Sequence, residues 1–162
     1  MALEYRVAEP SDVSTCVDIR GRTRENAVSA ERLSALGITV ASWAESVRRG
    51  SLPGYVCLAD GEIIGYSFGA TASGEVEVLA LLPAFENLGI GKALLTRVIE
   101  TLGNLGFTRL FLGCSSDPAS RSYGFYRHLG WQPTGEFDAR GDEVLEYFVE
   151  TREQTSGQQH FR

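Results

Sequence analysis

The stretch ENLGIGKALL, residues 86–95, constrains the fold more than any other part of this chain. An apolar run, LALLP, precedes it, and Ile90, Leu94, Leu95, Val98 and Leu102 recur through and beyond it at helical spacing. A strand, a tight turn and a helix must therefore follow one another within a few residues. Glycine costs a helix about 1 kcal/mol relative to alanine, so Gly89 and Gly91 at a helix start imply a backbone that something approaches closely. The unbonded amides of a first helical turn, with the positive end of the helix dipole, bind anions. Two common phosphate loops do not fit. A P-loop needs glycine at position 86 and Ser or Thr at 93, where Glu86 and Ala93 stand. A dinucleotide fingerprint needs glycine at position 94, which is Leu94. A plain strand-to-helix turn is the structural alternative.

The rest of the chain supplies a frame for that unit. LEYRV reads as a strand closed by Pro10, and Ser11 or Asp12 caps a helix carrying Val13, Cys16, Val17 and Arg20. A helical segment over residues 30–36 stops at Gly37; another, capped by Thr39, stops at Gly50. Two β-rich runs flank Asp60-Gly61 and predict a hairpin. EVEVLALLP is the next strand, residues 89–102 the next helix, and RLFLGC a short buried strand. Asp117-Pro118 reads as the start of a helix running to about residue 129. WQPTGEF and EVLEYFVE form a last hairpin. The expectation is an α/β chain with one mixed sheet of about seven strands and helices on both faces. Residues 1–150 form one domain, and residues 151–162 a loose polar tail.

Composition narrows the function. The 162 residues are 43% hydrophobic and 22% charged, as in an ordinary globular domain, and the formal net charge of -6 argues against a nucleic-acid partner. Three widely spaced cysteines, Cys16, Cys57 and Cys114, without a CxxC pair, argue against a disulfide scaffold or a metal site. MALEYRVAEP lacks a basic region leading into an apolar run, and no apolar stretch approaches the ~20 residues that span a bilayer. A cytoplasmic protein without a membrane partner is expected.

With LALLPAFENLGIGKALL and GFYRHLGW (residues 124–131) in this order, the chain resembles the GCN5-related N-acetyltransferase (GNAT) superfamily over about residues 3–149. The first stretch is similar to that family's motif A, (Gln or Arg)-x-x-Gly-x-(Gly or Ala), and the second to its motif B. The resemblance implies a sheet splayed open at its centre, with acetyl-coenzyme A as acetyl donor. Amides of the turn at Glu86, Asn87, Leu88, Gly89, Ile90, Gly91 and Lys92 would cradle its pyrophosphate. The strand before them, at Leu79, Ala80 and Leu81, would bond the pantetheine arm through backbone groups, as an added strand does. Two positions depart from the pattern. Glu86 replaces Gln or Arg and puts a carboxylate beside two phosphates unless its side chain turns away; only backbone amides are required there, so reduced affinity at most is expected. Ala119 stands where Asn is frequent, leaving Ser120 or Ser122 as a cofactor contact.

Transfer to an amine needs a proton for the departing thiolate, and Tyr126 in the second motif fits that role; its alternative is a packed helix aromatic. Glu75 and Glu77 alternate on the strand leading to the turn, and either can accept the amine proton, unless a water chain does. Cys114 as an acylated nucleophile is disfavoured, because His128 and His160 have no triad-like surroundings. Arg22 and Arg24 lie in the region that lines the acceptor side in this family, where an arginine holds a carboxylate or phosphate; a solvated helix end is the alternative. Trp43, Tyr66 and Phe68 either wall the acceptor pocket or pack in the core. The acceptor expected is a small or amino-acid-like amine rather than a protein N-terminus, and the family's habits favour a homodimer. A coenzyme-binding module without transferase activity is the competing reading, for which Glu86 and Ala119 leave room.

Overall fold

The computed structural model describes residues 1–150. They belong to two compact units, Met1–Val98 and the chain from Ile99 onward. The expected tail, 151–162, lies outside the described residues. No described helix is long and apolar enough to cross a membrane.

The first unit is built on a four-stranded antiparallel sheet in the order β1 (Leu3–Val7), β2 (Gly54–Ala59), β3 (Glu62–Gly69), β4 (Val76–Leu81). The β2–β3 connection is the expected two-residue hairpin. Asp60 and Gly61 both take positive φ, 50° and 86°, and Ala59 faces Glu62 across the turn. That double left-handed conformation matches strand twist and is the reason Asp-Gly marks such turns. The turn also holds the start of the chain. Asp60 N donates to the Ala2 carbonyl at 2.9 Å, and Ala2 N donates to the Asp60 carboxylate at 3.0 Å.

Strand alternation divides two apolar faces. Val56, Tyr66, Phe68 and Ala80 pack against α1 (Val13–Arg20), α2 (Ala30–Ala35) and α3 (Val40–Arg49). Cys57, Ala59 and Ile64 turn the other way, under Ile90 and Leu94 of α4 (Ile90–Asn104). Thr39 caps α3 as expected, accepting from Ser42 N at 3.0 Å, and Gly50 ends it in the left-handed conformation. The expected cap of α1 is different. Pro10–Asp12 forms one 3-10 turn, and the Asp12 carboxylate takes Glu9 N at 2.7 Å and two nitrogens of Arg6 at 2.8 and 3.0 Å.

The second unit pairs β5 (Arg109–Cys114) with β7 (Glu143–Phe148), and β7 with β6 (Gln132–Phe137), all antiparallel. Leu110, Leu112, Leu145 and Trp131 form its buried centre. The helix expected from Asp117 starts later, as α5 (Arg121–His128), because the Asp117 carboxylate accepts from Ala119 N at 2.9 Å and closes a local turn instead. All seven expected strands form, in hydrogen-bonded ladders of four and three, the division expected of a sheet splayed at its centre: among the described strands β4 bonds to β3 alone, and β5 to β7 alone.

Candidate active site

The register of β3 and β4 decides what the outer edge of β4 offers. Leu82 N donates to the Ile64 carbonyl at 2.9 Å, so Leu82 and Ile64 are a hydrogen-bonded pair. Hydrogen-bonded pairs alternate along an antiparallel ladder, which makes Ala80–Tyr66 and Val78–Phe68 the next two. The Val78 carbonyl, which also accepts from Ser67 Oγ at 2.8 Å, is turned toward β3 accordingly. The amides and carbonyls of Leu79 and Leu81 therefore face away from β3, along a side where no described strand bonds to β4. Ala80, expected beside them, spends its backbone groups on Tyr66 and has its side chain buried.

This edge leads through a 3-10 turn, Pro83–Phe85, into the glycine turn. Asn87 takes φ 65° and Gly89 φ 80°, both left-handed. A Cβ at Gly89 would meet no heavy atom within 4 Å, so the space in front of the turn is open. Ile90 is buried and anchors the turn from below, while Asn87, Leu88 and Gly89 are exposed above it. The bond from Ala93 N to the Gly89 carbonyl, 3.1 Å, opens the i→i−4 ladder of α4, a helix of 15 residues. The amides of Ile90, Gly91 and Lys92 precede that bond, where helix geometry supplies no acceptor. The first turn of α4 carries no acidic residue and does carry exposed Lys92, a charge unfavourable to the dipole unless an anion joins it.

Glu86 departs from its expected setting. Its carboxylate, only 12% exposed, accepts from Arg24 Nε at 2.7 Å and is neutralised there. Arg24, expected as a holder of the acceptor, is thereby held beside the glycine turn. Arg22 pairs with Asp18 at 3.0 Å with both side chains mostly in water, the solvated helix end of the alternative reading. Trp43, Tyr66 and Phe68 are buried together in the first unit's core, Trp43 edge-on to Tyr66 and Phe68 at 5.8 and 5.4 Å and Tyr66 tilted against Phe68 at 5.7 Å. Desolvation there pushes the Tyr66 hydroxyl pKa far up. Of the two readings, the packed core is the one this burial matches.

Glu75 precedes β4, is half-buried, and donates its amide to Ser73 Oγ at 3.2 Å; Glu77 is exposed. Val78 faces Phe68 and Val76 faces Gly69, which leaves Glu77 as the extra residue of a bulge. Alternation alone therefore does not set the two carboxylates on one face.

In the second unit Tyr126 lies on α5, 9% exposed, edge-on to Phe125 and Trp131 at 5.1 and 6.0 Å. Ser122 Oγ is 3.5 Å from Ser120 Oγ at the start of the same helix. Cys114 is buried, and desolvation raises its thiol pKa against the opposing pull of Arg127, so a neutral thiol rather than a nucleophile stands there.

Residues 18–131 match the family model described as Acetyltransferase (GNAT) family. The chain is 29% identical over 141 residues to glucosamine 6-phosphate N-acetyltransferase of Trypanosoma brucei brucei, covering 80% of this chain and 89% of that protein. Among solved structures, the PaiA N-acetyltransferase of Thermoplasma acidophilum in complex with coenzyme A superposes with a TM-score of 0.70 at 18% identity, over 92% of this chain and 100% of that one. A phosphinothricin acetyltransferase of Sinorhizobium meliloti in complex with acetyl-coenzyme A has a TM-score of 0.66 at 25% identity, over 94% and 92%. With the strand edge, the glycine turn and the helix start in place, these matches make the chain a member of the GNAT acetyltransferase family.

Proposed function

We propose that this acetyltransferase moves the acetyl group of acetyl-coenzyme A to the primary amine of a small molecule, by direct attack within a ternary complex. One observation carries the reading. The outward backbone of Leu79 and Leu81 leads, through the 3-10 turn at Pro83–Phe85, into the left-handed turn and the first-turn amides of α4. Such an edge accepts an extended amide chain as it would a strand, and the amides beyond it accept a pyrophosphate. Asn87, Leu88 and Gly89 would hold the phosphates with Ile90, Gly91 and Lys92.

The donor supplies an activated thioester. The amine nitrogen bonds to the acetyl carbon as the carbon–sulfur bond breaks. Tyr126 gives its phenolic proton to the departing sulfur, and one amine proton leaves to Glu75, Glu77 or a water chain. Ser122 is the remaining candidate for a coenzyme contact. The trypanosomal relative, named for glucosamine 6-phosphate, supports a small acceptor.

Gly91→Val tests the donor site, because Gly91 lies inside α4, where valine meets no left-handed strain, whereas Gly89 at φ 80° would be strained by any side chain. The parent should gain thermal stability with coenzyme A, and the folded variant should lose most of that gain. A variant that binds as well as the parent removes the phosphate-turn reading. Thiol release across a panel of small amines tests transfer; coenzyme binding without release for any amine would favour a binding module.

A further inference from the structure

We infer that Arg24 is a side-chain cation of the donor-phosphate cradle, aimed there by Glu86. The inference rests on the reading of residues 87–92 as the phosphate site. A carboxylate one residue before that turn repels a phosphate unless it is neutralised, and Glu86 is too enclosed for water to do this fully. Arg24 does it from 62 positions away in sequence. The contact uses Nε alone. The terminal Nη1 and Nη2 groups make no hydrogen bond among the described residues, and the side chain is 58% exposed. A guanidinium held through Nε keeps its planar fork available for the oxygens of a second anion.

The neighbouring arginines are otherwise engaged. Arg6 is spent on Asp12 through both terminal nitrogens, Arg20 on the Asn26 carbonyl and Arg22 on Asp18. The loop that presents Arg24 is bonded within itself. Val28 N donates to the Arg20 carbonyl at 2.9 Å, Arg22 N to the Ile19 carbonyl at 2.8 Å, and Thr23 Oγ1 to the Glu25 carbonyl at 3.0 Å. A guanidinium fixed at both its loop and its Nε loses little entropy when a phosphate arrives. With Lys92 it gives the cradle two cations beside the Glu86 carboxylate.

A merely structural Arg24 would fasten the loop to the turn and serve every donor alike. A phosphate ligand distinguishes coenzyme A from pantetheine, which lacks the phosphates. We therefore expect Arg24→Ala, and Arg24→Met with its stem retained, to weaken coenzyme A binding by about 10- to 100-fold, the range for charge-assisted hydrogen bonds. Pantetheine binding should stay within about twofold on the same scale. Glu86→Gln keeps an acceptor for Nε and removes the opposing charge. It should tighten coenzyme A binding about two- to fivefold at low ionic strength, and less at high salt. Coenzyme A affinity unchanged in Arg24→Ala, or equal losses for coenzyme A and pantetheine, would overturn the inference. Gly91→Val separates the two readings: retained binding there removes the turn itself, whereas loss there beside an indifferent Arg24→Ala removes only Arg24.

Discussion

A single oxygen decides the role of Tyr126. Its ring is 9% exposed and set edge-on against Phe125 and Trp131, so Tyr126→Phe preserves the packing and deletes only the donor. A thiol ionises near pH 8.5 and a phenol near 10, so proton transfer to the leaving sulfur is slightly uphill in water and easier as charge builds in a desolvated site. The expected result is a fall in kcat of about 10²- to 10⁴-fold with coenzyme affinity unchanged. Parental turnover with the best amine found would reduce Tyr126 to a core aromatic. Residues of this kind are singled out in a sequence when a short motif carries them. The Arg24–Glu86 contact was not, since nothing within either segment's own sequence marks a partner 62 positions away. Trp43, Tyr66 and Phe68 stand between pocket and core in the sequence for a related reason: aromatic type alone does not say which neighbours will close over the rings.

Between elements, the junction of β1 with the first helical turn depends on one carboxylate. Asp12, 6% exposed, accepts from both terminal nitrogens of Arg6 and from Glu9 N. The hydrogen bonds from Arg6 hold its pKa below the ordinary value, against the opposing effect of burial. A depressed folded pKa contributes stability that is complete above the unfolded carboxylate value, about 3.9, and is lost as pH falls through the folded one. Asp12→Asn should therefore lower stability by about 2–3 kcal/mol at neutral pH, from lost charged hydrogen bonds. The deficit should shrink on acidification below about pH 4. Urea melts from pH 7 down to pH 2.5 measure both, and a pH-independent deficit would assign the loss to packing. Elements were legible where a local signal had no competitor, as at Asp60-Gly61 or the Thr39 cap. They were misplaced where the same chemistry had two uses. Asp117 before Pro118 suits a helix cap and a tight turn equally, and the turn is what forms. The bulge at Glu77 has no sequence mark at all, because it depends on how the partner strand ends.

For the molecule as a whole, donor binding and folding share one free energy. Acetyl-coenzyme A at about 100 times its Kd should add roughly 2.7 kcal/mol, raising Tm by about 5–10 °C for a chain of this size. Calorimetry with and without the donor checks this, and no shift at saturation would mean that the described fold does not hold it. The order of strands and helices was legible in the sequence, whereas the division of the seven strands into ladders of four and three followed only from the family resemblance and its centrally splayed sheet, since hydrophobic patterning identifies strands without saying which will bond. The bond between Ala2 and the hairpin turn at Asp60 adds an element of time. Strand β1 is made about 50 residues before its partner β2 begins. A ribosome working at about 5–20 residues per second leaves β1 without a partner for roughly 3–10 s. Its five residues and the charges of Glu4 and Arg6 suit that interval, because short, charged strands resist pairing with strangers. The place of β1 in the sheet exists only once β2 has been made.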